Sequence, residues 1–413
     1  MRPRVPERFW RRQTTKRPRT AAQKRNAQGS LPPDGVPMFA TLVGAYPRTP
    51  LPGSPFKLRA GYGQLDRCEI DADGFRAVQD ELIREIVDEQ ESAGLEPLTD
   101  GGIRTEDPLT YLARDLDGFE ISGLLRYFDT NTYFRQPRAV REPRWTRPIA
   151  VDDWRFTASL TDKAVKQNVV GPYTLGRLAD TAEVGQERVT LALAEALNQE
   201  LRALADAGCP LIQVDEDAAT LIGEDREQQR LFREAQRRLL AGFGGSRDTH
   251  VSLAITMGNA DAAGTDTIFD APYSSYLFDL IAGPDNWRLI ARAPGERGII
   301  CGALDARNTA LDTKELLIWA AHYAASTAGR GLARVGLSPS TSLEYLPRDR
   351  ALAKIKLLGE AARLAAMAGT EELARAIDPR AVDIRSAAFG RYAPTARKAA
   401  EEAQAAQPAE ELA

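Results

Sequence analysis

Short apolar segments alternate with longer amphipathic segments along most of the chain. One such unit begins with a helical pattern of leucines from Gln186, ends at Gly208 and continues into an apolar run at residues 211–214. Short apolar strands that alternate with helices belong to a parallel sheet covered on both faces. The alternation predicts strands at residues 95–99, 211–214, 250–255, 298–304 and 333–337, and helices at residues 75–87, 186–207, 228–240, 313–325 and 348–366.

This order of elements predicts an α/β protein built on a single (β/α)8 barrel, the TIM barrel fold. The main alternative is an open, doubly wound sheet, but no glycine-rich phosphate loop opens any of the predicted helices. About 340 residues lie between two tails, a length that suits one barrel with insertions. We therefore predict one barrel domain over residues 36–375.

Both ends of the chain have compositions typical of disorder. Residues 1–35 contain ten Lys or Arg and two acidic residues, so this arm carries +8, and the remainder must carry −12 to give the net charge of −4. Residues 376–413 are rich in Ala and predict a helical or disordered tail. The acidic body between the tails argues against a nucleic-acid partner.

The sequence lacks the features of a membrane or secreted protein. No apolar run approaches the roughly 20 residues that span a bilayer, and no apolar segment of a secretion signal follows the basic N-terminus. The three cysteines, Cys68, Cys209 and Cys301, are too few for a disulfide framework. We therefore expect a cytoplasmic protein without a membrane partner.

Polar residues that directly follow predicted strands mark the predicted active site, because the carboxyl ends of the strands form the active-site face of a barrel. Three consecutive carboxylates, Asp215, Glu216 and Asp217, repel one another and need protons, a cation or a ligand amine to balance them. Asp305 equally fits the N-cap of the helix that follows it. The residues expected at this face are Asp100, Arg104, Asp215, Glu216, Asp217 and Asp305.

His250 is one of two histidines and opens the strand predicted at residues 250–255. Histidine suits both acid–base catalysis and metal binding, and its position alone leaves a purely structural role open as well. The other histidine, His322, lies in an alanine-rich helix, where a packed or exposed side chain is the simpler interpretation. His250 is therefore the histidine that remains a candidate for the active site.

Six segments resemble motifs of the cobalamin-independent methionine synthases, in the order in which that family has them. Residues 207–216 resemble the motif AGC..IQIDEP, and residues 171–174 match the turn GPYT. The other four are residues 43–49, which resemble the opening strand motif, residues 99–104 (TDGE..R), residues 128–133 (WFDTNYHY) and residues 335–343 (LSP.CGL). The resemblance covers roughly residues 38–370.

The resemblance implies a barrel in which a methylfolate donates its methyl group to the thiol of homocysteine. In that family a zinc ion binds the thiol as a thiolate, since coordination removes the proton that a free thiol keeps at neutral pH. The resemblance also implies that Asp215 contacts the substrate amine. Together with the strand-end positions, it predicts substrate contacts at Val43, Gly44, Asp100, Arg104, Asp129, Asn131, Tyr133 and Asp305.

Most of the zinc ligands that the resemblance implies are missing. The family binds zinc with a His and a Cys two residues apart, a Glu and a second Cys. The resemblance matches these Cys positions to Ser252 and Thr341, and no carboxylate occurs at the Glu position before Asp279. Only the His is retained, as His250. A catalytic zinc normally has three protein ligands, and hydroxyl groups replace thiolates poorly, so we expect no zinc site of the family's type.

Two further departures fall at positions where the resemblance implies contacts to the amino-acid substrate. Ala45 replaces a small polar residue of the opening motif, and Gly102 replaces the Glu of the TDGE loop. We therefore predict a methyl- or related group-transfer enzyme with an altered small-molecule substrate, an amino acid or a thiol. Methylfolate is the candidate co-substrate.

The predicted catalytic residues are Asp215, Glu216 and His250. Asp215 would hold a cationic group, Glu216 or His250 would act as the general base, and Arg104 would bind an anionic group. Two alternatives remain open from the sequence. One is a zinc-free lyase or decarboxylase on the same scaffold, and the other is a barrel that binds a small molecule without catalysis.

Overall fold

The computed structural model describes residues 38–243 and 249–367. The strands in these ranges are β1 (Phe39–Ala40), β2 (Asp117–Arg126), β3 (Tyr133–Arg144), β4 (Lys166–Val170), β5 (Leu211–Asp215), β6 (His250–Ile255), β7 (Ser275–Asp279), β8 (Gly298–Leu304) and β9 (Val335–Pro339). All except β2 and β3 form one parallel sheet in the order β1-β9-β8-β7-β6-β5-β4. Because β1 pairs with β9, the first and last of these strands are neighbours and the sheet curls.

Helices connect the successive strands of this sheet, as a parallel arrangement requires. They are α1 (Lys57–Asp66), α2 (Ala72–Ser92), α3 (Thr110–Ala113), α4 (Val151–Ala158), α5 (Pro172–Leu178), α6 (Gln186–Ala207), α7 (Arg226–Leu239), α8 (Thr265–Ile268), α9 (Trp287–Arg292), α10 (Lys314–Ser326) and α11 (Arg348–Met367). Single 3-10 turns lie at Asp217–Leu221, Asp261–Ala263, Pro284–Asn286, Thr327–Gly329, Leu332–Arg334 and Leu343–Tyr345.

The predicted α/β class with a parallel sheet is confirmed. The strands predicted at residues 250–255 and 298–304 coincide with β6 and β8, and Gly208 ends α6 in the left-handed conformation with a φ of 96°. The arm predicted at residues 1–35 and the tail predicted at residues 376–413 lie outside the described residues. Within the described ranges, no helix is long and apolar enough to cross a membrane.

Several elements of the structure are not predicted by the sequence patterns, among them strands β1 and β4, the β2–β3 hairpin and strand β7. Strands β2 and β3 form an antiparallel hairpin, and most of the β2 side chains are exposed, so no apolar period marks that strand. Strand β7 is buried along its whole length, but it has only five residues and begins with Ser275. An apolar run this short cannot be assigned to a strand by periodicity alone.

The segment predicted as a strand at residues 95–99 lies between the two edge strands of the sheet. On one side the Glu96 amide donates to the carbonyl of Ala40 at 2.9 Å. On the other side the Leu98 amide donates to the carbonyl of Ala164 at 2.8 Å, and the Lys166 amide donates to the carbonyl of Leu98 at 2.9 Å. Single bridges therefore connect this segment to both β1 and β4.

The concave side of the sheet combines a small apolar cluster with buried polar side chains. The apolar cluster consists of Phe39, Val43, Ala254, Leu277 and Ile300, and a much larger core lies between the sheet and the helices. The Lys166 side chain is buried here, and its ammonium donates to the Leu42 carbonyl and to Gln213 Oε1. A buried charge needs such acceptors, so the interior of the sheet is built around polar contacts as well as apolar packing.

The buried Glu216 carboxylate fixes the start of α5 against the end of β5. It accepts hydrogen bonds from the backbone amides of Tyr173 at 3.0 Å and Thr174 at 2.7 Å, and from the Gln236 side chain. A Cβ atom on Gly171 would lie 2.1 Å from the Glu216 carboxyl carbon, so only glycine leaves room for this contact. The first backbone amides of a helix have no acceptor within the helix, and the Glu216 carboxylate supplies an acceptor for those of α5.

We predict that Glu216→Leu lowers the free energy of unfolding by about 2–4 kcal/mol, because it leaves two buried backbone amides and the Gln236 amide without their acceptor. Urea denaturation followed by circular dichroism measures this change. The matched control is Glu224→Leu at an exposed position. Equal stability of the two variants would contradict the structural role of Glu216.

Candidate active site

A cavity opens where the strands of the sheet end, at their carboxyl termini. Its walls come from the loops after β1, β4, β5, β6 and β9 and from the turn of the β2–β3 hairpin. The lining residues are Val43, Gly44, Ala45, Arg48, Thr99, Asp100, Gly102, Thr105, Asp107, Pro108, Tyr111, Tyr127, Gln167, Asn168, Val170, Asp215, Asp217, Thr256, Met257, Thr341, Ser342, Glu344 and Tyr345. This is the face at which parallel barrels carry out their chemistry.

The Asp215 carboxylate is held at the cavity wall by two side-chain amides. Gln213 donates to Oδ1 at 2.6 Å, and Asn168 donates to Oδ2 at 3.2 Å. Burial raises the pKa of Asp215, and the nearby Asp217 carboxyl raises it further. Burial also lowers the pKa of Lys166, whose positive charge lies close enough to favour the ionised form of Asp215.

Asp217 forms a second polar centre in the same cavity. Its Oδ1 accepts hydrogen bonds from the Thr256 amide at 2.9 Å and the Thr256 hydroxyl at 2.7 Å, and its Oδ2 accepts one from the Tyr127 hydroxyl at 2.8 Å. The Thr256 and Thr341 hydroxyl oxygens are 3.3 Å apart. Burial raises the pKa of Asp217, while the donors from Thr256 and Tyr127 oppose that rise.

Five of the sequence-predicted residues line the cavity: Val43, Gly44, Asp100, Asp215 and Asp217. Glu216 does not line it, because its carboxylate turns away from Asp215 toward the start of α5. Burial raises the pKa of Glu216 to about 7, although it accepts three hydrogen bonds. The structure therefore separates the neighbouring carboxylates by direction: Asp215 and Asp217 line the cavity, and Glu216 packs behind the strand.

His250 lies at the amino end of β6, away from the cavity. In the parallel register it pairs with Leu211, whereas Asp215 pairs with Ala254, about 13 Å further along the strand at ~3.3 Å per residue. The His250 Nε2 atom is 2.7 Å from the Ser275 hydroxyl, which donates to the Ser252 hydroxyl at 3.0 Å. These contacts place His250 in a buried polar cluster at the opposite end of the sheet from Asp215.

Arg104 and Asp305 are also absent from the cavity lining. The Arg104 guanidinium forms ion pairs with Asp80 and Asp153 and lies 4.5 Å from the centre of the Phe156 ring. The Asp305 carboxylate accepts the backbone amide of Arg307 at 2.9 Å, a contact within its own loop. Both side chains therefore have structural partners outside the cavity.

The three candidates near the hairpin turn are exposed and lie outside the cavity lining: Asp129, Asn131 and Tyr133. The hairpin reaches the cavity through Tyr127, which is buried. The Thr132 hydroxyl, next to the turn, is 3.4 Å from a carboxylate oxygen of Glu344. The sequence motif at residues 128–133 thus marks the correct loop, but the side chain in the cavity precedes the motif.

The zinc-ligand positions matched from the sequence do not converge in the structure. His250 and Ser252 lie in the amino half of β6, whereas Thr341 lies at the cavity beside Thr256. Ligands of one ion must meet at one point, so these matched positions cannot form one metal site. Asp279 is the last residue of β7. The preceding residue, Phe278, pairs with Ile255 of β6, so Asp279 and Thr256 lie at the same height along the two strands.

Several cavity residues have no signal in the sequence analysis. Tyr127 belongs to the hairpin, which the patterns do not predict, and Glu344 follows a strand without any distinctive spacing. Arg48 lies within the motif at residues 43–49, but the sequence analysis assigns it no role. Thr256 follows the predicted strand at residues 250–255 and has the strand-end position expected of site residues. That position is the signal by which Thr256 could have been found.

Comparisons with known proteins identify the family of this chain. The family model described as "Cobalamin-independent synthase, Catalytic domain" matches residues 38–364. A methionine synthase of Sulfurisphaera tokodaii is 30% identical over 189 residues, which are 45% of this chain and 54% of that protein. A 5-methyltetrahydropteroyltriglutamate–homocysteine methyltransferase of Thermosynechococcus vestitus is 29% identical over 205 residues, 49% of this chain and 26% of that protein. The chain spans about half the length, or less, of these relatives.

Solved structures show the same fold. The B12-independent methionine synthase from Shewanella sp. W3-18-1, solved in complex with selenomethionine, superposes with a TM-score of 0.64 over 79% of this chain and 96% of that chain, at 16% identity. The family model extends across every strand of the parallel sheet and every segment that lines the cavity. The chain belongs to the cobalamin-independent methionine synthase family and corresponds to its catalytic domain.

Proposed function

We propose that this chain is a group-transfer enzyme that moves a methyl group from a methylfolate-type donor to the thiol of a small molecule, with an acceptor other than the parent substrate and without the family's zinc. The observation that carries the proposal is the cavity itself. Four motif segments of the family meet there, and Asp215 is held in place by Gln213 and Asn168. The scaffold of the family site is therefore retained around a changed interior.

The proposal includes a closed (β/α)8 barrel. The segment at residues 95–99 lies between β1 and β4, which is the position of an eighth strand. Its bridge at Leu98 is parallel, whereas its bridge from Glu96 to Ala40 of β1 is antiparallel. Closure would bring Asp100, which directly follows this segment, to the same rim as Asp215. That placement supports the use of both carboxyls in one site.

We place the corrected His and first Cys positions at Ala254 and Thr256, and the residues at the corrected ligand positions do not fit a catalytic zinc. Ala254 has no donor atom, Thr256 and Thr341 offer hydroxyls, and Asp279 supplies the single carboxylate. The Asp279 Oδ1 atom accepts the amides of Ile281 and Ala282, both at 2.9 Å, whereas its buried Oδ2 atom has no hydrogen-bond partner among the described residues. Among the described residues, no group of three His, Cys, Asp or Glu side chains could hold a metal ion. A site with one carboxylate in place of the usual three ligands does not support zinc.

Asp217 is the proposed proton acceptor. It stands where the AGC..IQIDEP motif of the family ends in Pro, and it replaces that residue with a carboxylate beside Thr256 and Thr341. Its Oδ1 receives two hydrogen bonds and its Oδ2 receives one, so Oδ2 has a lone pair free to take a proton. Burial raises the pKa of Asp217, which makes the carboxylate a stronger base than an exposed one.

The atoms, electrons and protons of the proposed step balance without a metal ion. The acceptor thiol gives its proton to Asp217, and its sulfur forms a bond to the methyl carbon of the donor. The bond between that carbon and the donor nitrogen breaks, and the nitrogen keeps the electron pair. The proton then passes from Asp217 to the donor nitrogen. The products are a methyl thioether and the demethylated donor, and Asp217 returns to its starting state.

We predict that Asp217→Asn lowers the rate of methyl transfer at least ~100-fold, because an amide cannot accept the thiol proton. The assay follows thioether formation by mass spectrometry, with a 13C-methyl-labelled methylfolate, its triglutamate form and a panel of small thiols, in the presence of a zinc chelator. Asp152→Asn, an exposed carboxylate in the first turn of α4, is the matched control and should leave the rate unchanged.

Absence of methyl transfer to every thiol, with or without added zinc, would reject the proposed function. Release of carbon dioxide or ammonia from a carboxylated or amino substrate would then favour the lyase alternative. Equal rates for Asp217→Asn and the unsubstituted enzyme would retain the reaction but remove Asp217 as the base.

A further inference from the structure

The cavity carries far more negative than positive side chains. One guanidinium faces five carboxyl groups: Arg48 against Asp100, Asp107, Asp215, Asp217 and Glu344. Burial raises the pKa of Asp100, Asp217 and Glu344, and the charges of Arg104, Arg307 and Arg48 oppose that rise only in part. A ligand with a positive charge would oppose it further.

The Arg48 guanidinium is largely committed to the protein. It donates to the carbonyl oxygens of Gly102 at 3.1 Å, Thr105 and Glu106 at 3.5 Å. Its Nε atom has no acceptor among the described residues, but the charge also favours the ionised form of the neighbouring Glu344. A ligand carboxylate would therefore compete with Glu344 for the cavity's single cation.

The wall beside Gly44 offers no polar side chain at two positions that face each other. A Cβ atom on Gly102 would lie 3.1 Å from the Cβ atom of Ala45, so Ala45 would crowd any side chain at this position. Gly102 has a φ of 63°, in the left-handed region that favours glycine. Neither residue can donate a side-chain hydrogen bond to a ligand carboxylate.

Asp215, unlike Ala45 and Gly102, presents a charged side chain to the cavity, and its surroundings suit a cation. Gln213 and Asn168 fix its two oxygens, and both amides also donate to the Val43 carbonyl, so the carboxylate cannot easily rotate away. The Lys166 ammonium, deeper in the sheet, is engaged with the Leu42 carbonyl and Gln213 Oε1. The cavity side of Asp215 therefore remains available for a ligand ammonium.

We propose that the cavity selects a small thiol that carries an ammonium group and no carboxylate. The contact of its ammonium with Asp215 is the one that the family resemblance already implies, and the new element is the exclusion of a ligand carboxylate. The inference rests on the proposed function, since it names the acceptor of that transfer. An amino acid would place its carboxylate among five carboxyl groups and one shared arginine, whereas an aminothiol would add a positive charge alone.

Direct binding tests this selectivity without any methyl donor. Isothermal calorimetry on the full chain, under reducing conditions, would compare three thiols that differ in charge: 3-aminopropane-1-thiol, homocysteine and 4-sulfanylbutanoic acid. We expect the aminothiol to bind at least ~10-fold more tightly than homocysteine, with no detectable heat from the acid. Asp215→Asn should weaken aminothiol binding at least ~10-fold, and Asp152→Asn, at an exposed position, should leave it unchanged.

Three results would overturn the proposal: homocysteine or the acid binding as tightly as the aminothiol, no detectable binding of the aminothiol, or equal affinity of Asp215→Asn and the unsubstituted chain. The methyl-transfer assay is a separate measurement. Selective aminothiol binding without methyl transfer would therefore reject the proposed reaction and leave the cation selectivity established.

Discussion

Two side-chain amides connect the fold of this protein to its cavity. Gln213 and Asn168 each donate to the Val43 carbonyl at the end of β1 and to the Asp215 carboxylate at the end of β5. The same contacts tie β1 to β4 and β5 across the part of the sheet where only single bridges of residues 95–99 connect the strands. The position of the site carboxylate and the curl of the sheet therefore depend on one polar network.

The network beneath Asp215 explains why the interior tolerates buried charge. Lys166 donates to Gln213 Oε1, which leaves the Gln213 amide nitrogen to donate to Asp215 and Val43. A buried side-chain amide whose oxygen and nitrogen both form hydrogen bonds cannot flip without breaking several contacts. Lys166 thus fixes the orientation of Gln213, and Gln213 fixes Asp215. This chain of contacts lies beneath the cavity, whereas the cavity wall carries Ala45, Gly102 and Asp217, where the sequence departs from the motifs that it resembles.

Those departures have a common physical sense. A metal site concentrates positive charge, and neighbouring residues must balance it. In this chain the Thr256 and Thr341 hydroxyl oxygens lie 3.3 Å apart, and the carboxylate of Asp217 accepts the Thr256 hydroxyl at 2.7 Å. Hydroxyl and carboxylate groups that satisfy one another need no ion. Under the proposed function, the absence of thiolates and the presence of Asp217 are two parts of one change, from a site organised by a cation to one organised by hydrogen bonds.

The sequence predicts the scaffold better than the site. Hydrophobic periodicity and the residues that end an element predict strands such as β6 and helices such as α6, because burial and capping depend on residues that are close in the sequence. The motifs at residues 99–104 and 207–216 also identify two walls of the cavity. The hairpin cannot be predicted in this way, since its residues are mostly exposed and its contribution, Tyr127, depends on contacts with a loop 90 residues away.

The direction of a side chain is equally hidden from the sequence. Asp215, Glu216 and Asp217 are consecutive, yet Glu216 turns behind the strand to meet the amides of α5. His250 and Thr256 belong to the same apolar segment, but only Thr256 reaches the carboxyl end of the sheet. A motif fixes the strand on which a residue lies, and only the register fixes the end of the barrel that it reaches.

The metal content of the purified full chain tests the central claim most directly. The protein would be produced with ample zinc, freed of loosely bound metal by gel filtration and measured by mass spectrometry alongside His250→Ala. The account predicts far less than one equivalent of zinc in both proteins, because the corrected ligand positions offer a single carboxylate. About one equivalent in the unsubstituted chain would contradict it, and loss of that zinc in His250→Ala would return His250 to the metal site.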